Sequence, residues 1–332
     1  MTLDIIVPRY KEPWELCRYL FDTLATQRGV PFENVHVIMV NDGGEDVLDS
    51  SVFEGLPFSV EYLIKPHGGV SDTRNAGLLH STADYVMFCD ADDGFLNNYG
   101  LYLLFSAMSE NADYITSCFV EETFDQEGNN VIIRHDNDYT FMHGKAYKRT
   151  FLMEHELLFD PAMTIHEDGY FNTVAYVTAK HEGIVKVIDT PFYLWRWNDN
   201  STVRREKEDF VLRTYQQLMQ TRLGATEQLK KRGYEEEFRT TVGMTVLNSY
   251  YDFQKTSYCI SKNAKYRMTA EKAFHTFWKA YKSVFNDLTN AEVSAIAVAA
   301  RDNAVKNGML FEQESLRNFL AGIEKTGTLN LN

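Results

Sequence analysis

The sequence lacks the features that mark membrane-spanning, disulfide-linked and nucleic-acid-binding proteins. No apolar run approaches the roughly 18 to 20 residues that a membrane span requires, and the N terminus shows no signal peptide. The four cysteines are scattered, with neither a CxxC pair nor the Cys/His spacing of a zinc site, which is typical of reduced thiols in the cytosol. The formal net charge of -14 repels nucleic acid and anionic lipid. We therefore expect a cytoplasmic protein that contacts a membrane only peripherally, if it does so at all.

The first half of the sequence alternates strand-like and helix-like segments. Short apolar runs predict strands at 3–7, 35–40, 60–64 and 85–89, and helical patterns lie at 14–27, 71–80 and 144–155. Strands separated by helices predict a mostly parallel sheet, in which ligands bind beyond the carboxyl ends of the strands.

After about residue 198 the pattern changes to helices alone. Apolar residues recur at spacings of three and four, as in the stripe formed by Phe274, Phe277 and Tyr281. Such aromatic stripes are far more often core than a ligand site. We therefore predict an α/β domain over residues 1–205 and an all-α C-terminal domain over residues 206–332, which is also a candidate contact for a homo-oligomer.

Three carboxylates stand where a buried strand ends. In "YVMFCDADD" the apolar run leads directly into Asp90, Asp92 and Asp93, which repel one another unless a cation or hydrogen-bond donors gather them. A calcium loop of the EF-hand type is excluded, because Phe95 and Leu101 occupy the positions that require Gly and Glu. The remaining alternatives are a divalent cation site and a turn in which Asp93 caps the next helix.

Two further segments point to the same edge of the predicted sheet. Asp42, in "VNDGG", follows the second strand, so a parallel sheet would bring it close to Asp90. In "GGVSDTRNAG" two glycines precede a helix whose N-terminal amides favour an anion, and Arg74 adds a cationic group. Carboxylates that bind a cation, next to a phosphate site, predict a nucleoside diphosphate bound through that cation.

Six motifs in order resemble one enzyme family. The segments "IIVPRYKE", "VNDGGED", "GGVSDTRNAG", "YVMFCDADD", "HGKAYKRTFL" and "HEDGYF" are similar to the inverting family 2 glycosyltransferases over about the first 200 residues. Each motif alone is modest, and only their order is specific. The resemblance implies the GT-A fold, a Rossmann-like, mostly parallel mixed sheet flanked by helices.

The resemblance also implies where the nucleotide-sugar donor binds. It places Pro8, Tyr10 and Glu12 at the nucleoside, Asp42 at the base and Arg74 near the phosphates. The sequence departs from the family pattern at Asn41, His67, Asp72 and Thr73, where Asp, Asn and two Ala residues are usual. The first two departures bear on contacts to the nucleobase or ribose, so the donor is less firmly predicted than the type of reaction.

The residues of the reaction itself follow from the same resemblance. Asp90 matches the aspartate that faces the ribose and Asp92 the one that ligates Mg²⁺ or Mn²⁺, so both are candidate metal ligands. Asp168 matches the catalytic base, and Glu167 supports the acceptor pocket. Arg196, in "YLWRWNDNST", is a candidate phosphate contact. The nearby His143 and His166 are interpreted as structural histidines.

These expectations combine into one predicted function. We expect a metal-dependent inverting glycosyltransferase that moves a sugar from a nucleoside diphosphate, with UDP as the first choice, to a hydroxyl of a saccharide or related acceptor. A nucleotidyltransferase is one alternative, but "VPRYKEPW" lacks the glycine-rich loop that such an enzyme needs after its first strand. A sugar-nucleotide-binding module without catalysis is another, and no motif supports it.

Overall fold

The chain forms two compact units. The computed structural model describes residues 1–44, 47–125, 127–136, 138–199, 201, 210–255, 264–306 and 314–326. The units are Met1–Asp199 and Asn200–Asn332. The predicted domain boundary after residue 205 lies outside the described residues.

The N-terminal unit contains the sheet. Its strands are β1 Leu3–Arg9, β2 Val35–Asn41, β3 Ser59–Ile64, β4 Tyr85–Phe88, β5 Gly94–Phe95, β6 Tyr114–Phe124, β7 Asn130–His135, β8 Lys145–Lys148 and β9 Val185–Trp195. Its helices are α1 Trp14–Ala25, α2 Val70–His80, α3 Gly100–Ser109, α4 Arg149–Glu154 and α5 Glu167–Glu182, with short 3₁₀ helices at Phe32–Asn34 and Ser50–Phe53.

The sheet is mixed, as predicted. The strand order is β3-β2-β1-β4-β8-β6-β9-β5, and β7 pairs with β6 outside this path. Strands β1 to β4 run parallel, whereas β8 is antiparallel to both β4 and β6. The helix predicted over 144–155 is therefore wrong in its first half, because β8 occupies residues 145–148 and helix α4 begins only at Arg149. A strand of four residues is too short to show a clear period in the sequence.

The parallel register brings several strand ends to one edge. Arg9 of β1 lies beside Asn41 of β2, and Ile6 of β1 lies beside Phe88 of β4. On one face of the sheet, Gly77 of α2 approaches Ile6 so closely that a β-carbon at that glycine would lie 2.4 Å from the Ile6 side chain. The register places the ends of β1, β2 and β4 at the same edge of the sheet, and the close contact between Gly77 and Ile6 holds α2 against β1. The polar residues that follow these strands therefore lie at that edge.

The C-terminal unit is helical. Its helices are α6 Phe210–Arg213, α7 Tyr215–Lys231, α8 Glu235–Gln254, α9 Ala264–Asn286, α10 Asn290–Lys306 and α11 Leu316–Thr326. The aromatic stripe of α9 is buried core, as predicted, with Phe274 stacked on Phe319 at 5.5 Å. Among the described helices of the whole chain, none has both the length and the apolar character of a membrane span.

Candidate active site

The acidic loop follows β4 and is fastened to the end of β9. Asp93 is 1% exposed, and its carboxylate accepts hydrogen bonds from the Tyr193 hydroxyl at 2.7 Å and from the Arg196 amide at 3.0 Å. Helix α3 begins only after Tyr99, so Asp93 does not cap it. Burial, followed by the charges of Asp92 and Asp90, raises the pKa of Asp93 well above its ordinary value. The capping alternative is therefore wrong, and the loop concentrates negative charge.

Asp92 lies on the same loop, beside the segment that follows β9. Asn198 donates a hydrogen bond to its carboxylate at 2.7 Å, and Arg196 donates to its carbonyl oxygen at 3.3 Å. The Arg196 guanidinium also lies 3.9 Å from the centre of the Tyr19 ring. Burial, followed by the charge of Asp90, raises the pKa of Asp92. Arg196 and Asn198, in the segment expected to border the diphosphate, thus contact the acidic loop.

A histidine completes a group of side chains that could bind a metal ion. One ligand atom each from Asp90, Asp93 and His143 lie within 4.8 Å of one another. His143 is 5% exposed, and its Nδ1 lies 3.6 Å from Asp93 Oδ2 and has no hydrogen-bond partner among the described residues. Burial lowers the pKa of His143 to about 4, so the imidazole is neutral near pH 7. Carboxylate oxygens suit Mn²⁺ and Mg²⁺, and a neutral imidazole can serve as an additional ligand of a divalent cation.

Arg74 connects the acidic loop to helix α5. Its guanidinium donates to Asp90 at 2.8 Å and to Glu167 at 2.6 Å, and its side chain is 5% exposed. Its Nε is buried without a partner. Burial would raise the pKa of Asp90, but Arg74 and then His143 outweigh it and keep that pKa below the ordinary value. Arg74, expected near the phosphates, therefore lies between two carboxylates.

Asp168 lies in the first turn of α5, next to the Arg74 contact. The turn that starts the helix places His166 in the left-handed region, with φ 64°, and acidic residues in a first turn are favoured by the helix dipole. The Gly169 amide donates to the Asp168 carboxylate at 2.8 Å. Burial, followed by the charge of Glu167, raises the pKa of Asp168 to about 7. Such a carboxylate can take up a proton near neutral pH.

The residues beyond β1 form the next part of the site. Tyr10 is 41% exposed and stacks on the His67 ring at 4.5 Å. Glu12 folds back so that its carboxylate accepts a hydrogen bond from the Tyr10 amide, and burial raises the pKa of Glu12. Pro8 is half-buried at the end of the strand. The predicted nucleoside residues therefore lie close together.

Asp42 lies beyond β2 with its carboxylate fully bound. It accepts hydrogen bonds from Lys65 at 2.7 Å, from the Gly68 amide at 2.8 Å and from the Gly69 amide at 2.9 Å, and His67 Nδ1 lies 2.8 Å away. Burial would raise the pKa of Asp42, but Lys65 and the two amides outweigh it, so the pKa is lowered. The amides of the two glycines that precede the predicted phosphate-binding helix thus bind a carboxylate of the chain itself.

Sequence reasoning missed several residues of this region. Lys65, Asn198 and Tyr193 were not singled out, and His143 was interpreted as structural although it lies beside the acidic loop. The departures from the family pattern at His67 and Asp72 could have indicated Lys65, because the Lys65 ammonium forms an ion pair with the Asp72 carboxylate at 2.6 Å. Asn198 lies two residues after Arg196 in the segment "YLWRWNDNST", but only the fold shows that its side chain donates to Asp92.

Known proteins share both sequence and fold with this chain. The family model described as Glycosyl transferase family 2 matches residues 4–165. The Bacillus subtilis protein named uncharacterized glycosyltransferase EpsJ is 27% identical over 230 residues, and the match covers 60% of this chain and 62% of EpsJ. Staphylococcus aureus TarS, named poly(ribitol-phosphate) beta-N-acetylglucosaminyltransferase, is 25% identical over 276 residues, and the match covers 77% of this chain and 45% of TarS. The chain thus spans less than two thirds of either curated relative.

Solved structures agree on the fold. The crystal structure of S. aureus TarS residues 1–349 in complex with UDP has a TM-score of 0.65 at 17% sequence identity, and covers 92% of this chain and 89% of that one. The complex of the same protein with UDP-GlcNAc has a TM-score of 0.64. The mixed sheet with flanking helices is therefore of the GT-A type, and residues 4–165 match the glycosyl transferase family 2 domain.

Proposed function

We propose that this family 2 glycosyltransferase is a metal-dependent, inverting enzyme that moves a sugar from a UDP-sugar to a hydroxyl of a saccharide or related glycan. The observation that carries the proposal is the Arg74 bridge. One buried guanidinium binds Asp90 of the acidic loop and Glu167 of the helix that presents Asp168. The carboxylates suited to the donor and the carboxylate suited to proton transfer therefore meet at one position.

The choice of donor is supported by the relatives. TarS is named as a transferase of N-acetylglucosamine, and its structures contain UDP and UDP-GlcNAc. In this chain the exposed Tyr10 ring lies beyond β1, where the family pattern places the nucleoside, and it stacks on the exposed His67 ring, which follows β3. Arg196, which borders the acidic loop, is the candidate contact for the diphosphate.

The proton transfer is assigned to Asp168. As the acceptor hydroxyl oxygen forms its bond to the anomeric carbon, the bond from that carbon to the diphosphate oxygen breaks, and its electron pair stays on the diphosphate. Asp168 takes the hydroxyl proton, for which a pKa of about 7 is well suited. Glu167, fixed by Arg74, holds the start of α5 and so orients Asp168 toward the acceptor.

A divalent cation fits the acidic loop. Mn²⁺ or Mg²⁺ would be held there by Asp90, with Asp92 as the second ligand in the family pattern and with Asp93 and His143 close enough to contribute. When bound, the cation supplies positive charge beside the departing diphosphate.

The C-terminal helical residues, 206–332, are proposed as a separate domain that provides acceptor or homo-oligomer contacts. TarS, whose name gives poly(ribitol-phosphate) as its acceptor, supports a hydroxyl of a polyol-phosphate polymer as one such acceptor. A cytoplasmic enzyme acting on such polymers would contact the membrane peripherally.

The test is UDP release from UDP-GlcNAc or UDP-glucose in the presence of Mn²⁺. Replacement of the base, Asp168→Asn, should reduce the rate by about 100-fold or more while UDP binding persists. The matched control is Asp22→Asn, which removes an exposed carboxylate of α1 that pairs only with Arg18 among the described ion pairs. Release of pyrophosphate from a nucleoside triphosphate, or an unchanged rate in the Asp168 variant, would contradict the proposal.

A further inference from the structure

The carboxylate of Asp42 is already occupied by hydrogen-bond donors of the chain itself. A carboxylate offers about four acceptor positions. Here Oδ1 receives the Lys65 ammonium and the Gly68 amide, and Oδ2 receives the Gly69 amide and the His67 imidazole. Asp42 is also only 3% exposed. To bind a nucleobase, as the family pattern implies, it would have to give up one of these charge-assisted contacts.

The segment that surrounds Asp42 is tightly fixed. Lys65 lies between Asp42 and Asp72, at 2.7 Å and 2.6 Å. Gly43, with φ +78°, lets the chain pass so close to His67 that a β-carbon would lie 2.5 Å from the His67 amide nitrogen. His67 and Asp72, two of the departures from the family pattern, thus belong to one network around Asp42. That network determines where the His67 ring stands.

The orientation of the His67 ring follows from its neighbours. Its Nδ1 lies 2.8 Å from Asp42 Oδ2 and 3.1 Å from the Asp42 carbonyl oxygen. Both of these atoms can only accept, so Nδ1 carries the hydrogen and Nε2 of the neutral ring presents a lone pair. The side chain is 58% exposed, and its ring stacks on Tyr10, which is also exposed. An oriented acceptor therefore stands beside the predicted nucleoside residues.

We propose that His67 recognises the donor base by accepting a hydrogen bond from its imino N–H at Nε2, and that Asp42 is the residue that positions His67. This inference rests on the proposed function and deepens it. Uracil and guanine carry an imino N–H, whereas cytosine and adenine present a ring nitrogen lone pair at the corresponding edge. Two lone pairs repel, so the arrangement selects nucleoside diphosphates of the first kind.

The test compares binding of UDP and CDP to the intact chain by calorimetry. The variant His67→Phe keeps an aromatic ring to stack on Tyr10 but removes Nε2. It should weaken UDP binding about tenfold and leave CDP binding within about twofold, so that discrimination between the two is lost. The variant His67→Gln, which restores an acceptor oxygen, should recover part of the preference for UDP. His80→Phe is the control, because His80 is an exposed histidine paired with Glu61 outside the site.

The outcomes separate this inference from the proposed function. If the unmodified chain binds UDP but His67→Phe leaves the ratio of UDP to CDP affinity unchanged, His67 is only structural and the inference is wrong. If His67→Phe weakens the binding of UDP and CDP equally, His67 is likewise only structural and the inference is wrong. If the unmodified chain binds neither nucleotide, the proposed function itself fails. A lost preference in His67→Phe together with partial recovery in His67→Gln supports both.

Discussion

Two buried carboxylates at opposite ends of the central strands, Asp4 and Asp93, differ in the partners that surround them. Asp4, near the start of β1, and Asp93, beyond the end of β4, are 5% and 1% exposed. Yet the pKa of Asp4 is lowered and that of Asp93 is raised well above its ordinary value. Burial alone raises the pKa of any carboxyl group, so the difference lies in the partners that the chain provides.

At the amino end the chain provides those partners itself. Burial would raise the pKa of Asp4, but hydrogen bonds from His36 and Ser81 outweigh it. Ser81 donates at 2.6 Å, and His36 Nδ1 lies 3.3 Å away. At the carboxyl end the nearest charges to Asp93 are those of Asp92 and Asp90, and the nearby His143 is neutral. Asp4 is thus fully paired within the chain, as Asp42 and Asp90 are at the carboxyl end, whereas Asp93 and Asp92 on the acidic loop are suited to a cation from solution.

The largest expected effect tests that difference directly. If Asp90, Asp93 and His143 hold the cation, His143→Phe should weaken Mn²⁺ binding to the free protein by at least about tenfold, because a ligand is lost while the ring volume is kept. The variant Asp92→Asn should weaken it less. The Mn²⁺ affinity of both variants can be measured without turnover by titration, with free Mn²⁺ followed by electron paramagnetic resonance.

His80→Phe is again the control, since that histidine lies outside the acidic loop. If Asp92→Asn weakens Mn²⁺ binding far more than His143→Phe, the cation is held by Asp90 and Asp92, as the family pattern implies. Unchanged binding in both variants would show that the carboxyl end needs no cation.

The next effect concerns proton uptake at the carboxyl end. Asp168 must be unprotonated to act as a base, and its pKa is about 7, so the rate of UDP release should rise about tenfold per pH unit below that value and level off above it. Because the charge of Glu167 contributes to the raised pKa, Glu167→Gln should move the bend to lower pH. A rate of UDP release that does not change between pH values below and above 7 would show that Asp168 is not the base.

Much of this contrast was predictable from sequence, but only at the level of strands. The apolar runs before Asp42 and Asp90 fixed two strand ends, and parallel pairing implied that these ends meet, which the register confirms. The motif order then placed Asp168 beside them. The strand ends follow from periodicity and local sequence, which a single chain displays directly, whereas the place of Asp168 is what the family resemblance implies.

The partners of those residues were not predictable in the same way. Asp42 is bound by Lys65 and by the amides of residues 68 and 69, which are more than 20 positions away along the chain. His143 reaches the acidic loop only because β8 is inserted antiparallel beside β4, where a helix was predicted. Such contacts arise from tertiary packing and leave no local pattern, so the sequence could indicate the charges but not which of them are already paired.

The smallest expected effect is on stability, and it should differ in sign between the two ends. Asp168 has a raised pKa when folded, so between its ordinary value and about 7 the folded chain binds the proton more tightly and loses stability as pH rises. Asp168→Asn removes that cost and should stabilise the folded protein at pH 8.

Asp4 has a lowered pKa in the folded protein. Its carboxylate therefore stabilises the fold at every pH above the ordinary pKa, and this stabilisation is lost only as the pH falls through the lowered pKa. Asp4→Asn should therefore destabilise the protein at pH 8. We expect about 1 kcal/mol in each direction, or about 2 to 4 °C in opposite senses by calorimetry. A lower melting temperature in both variants would mean that Asp168 is as well satisfied as Asp4, and the contrast between the two ends would no longer hold.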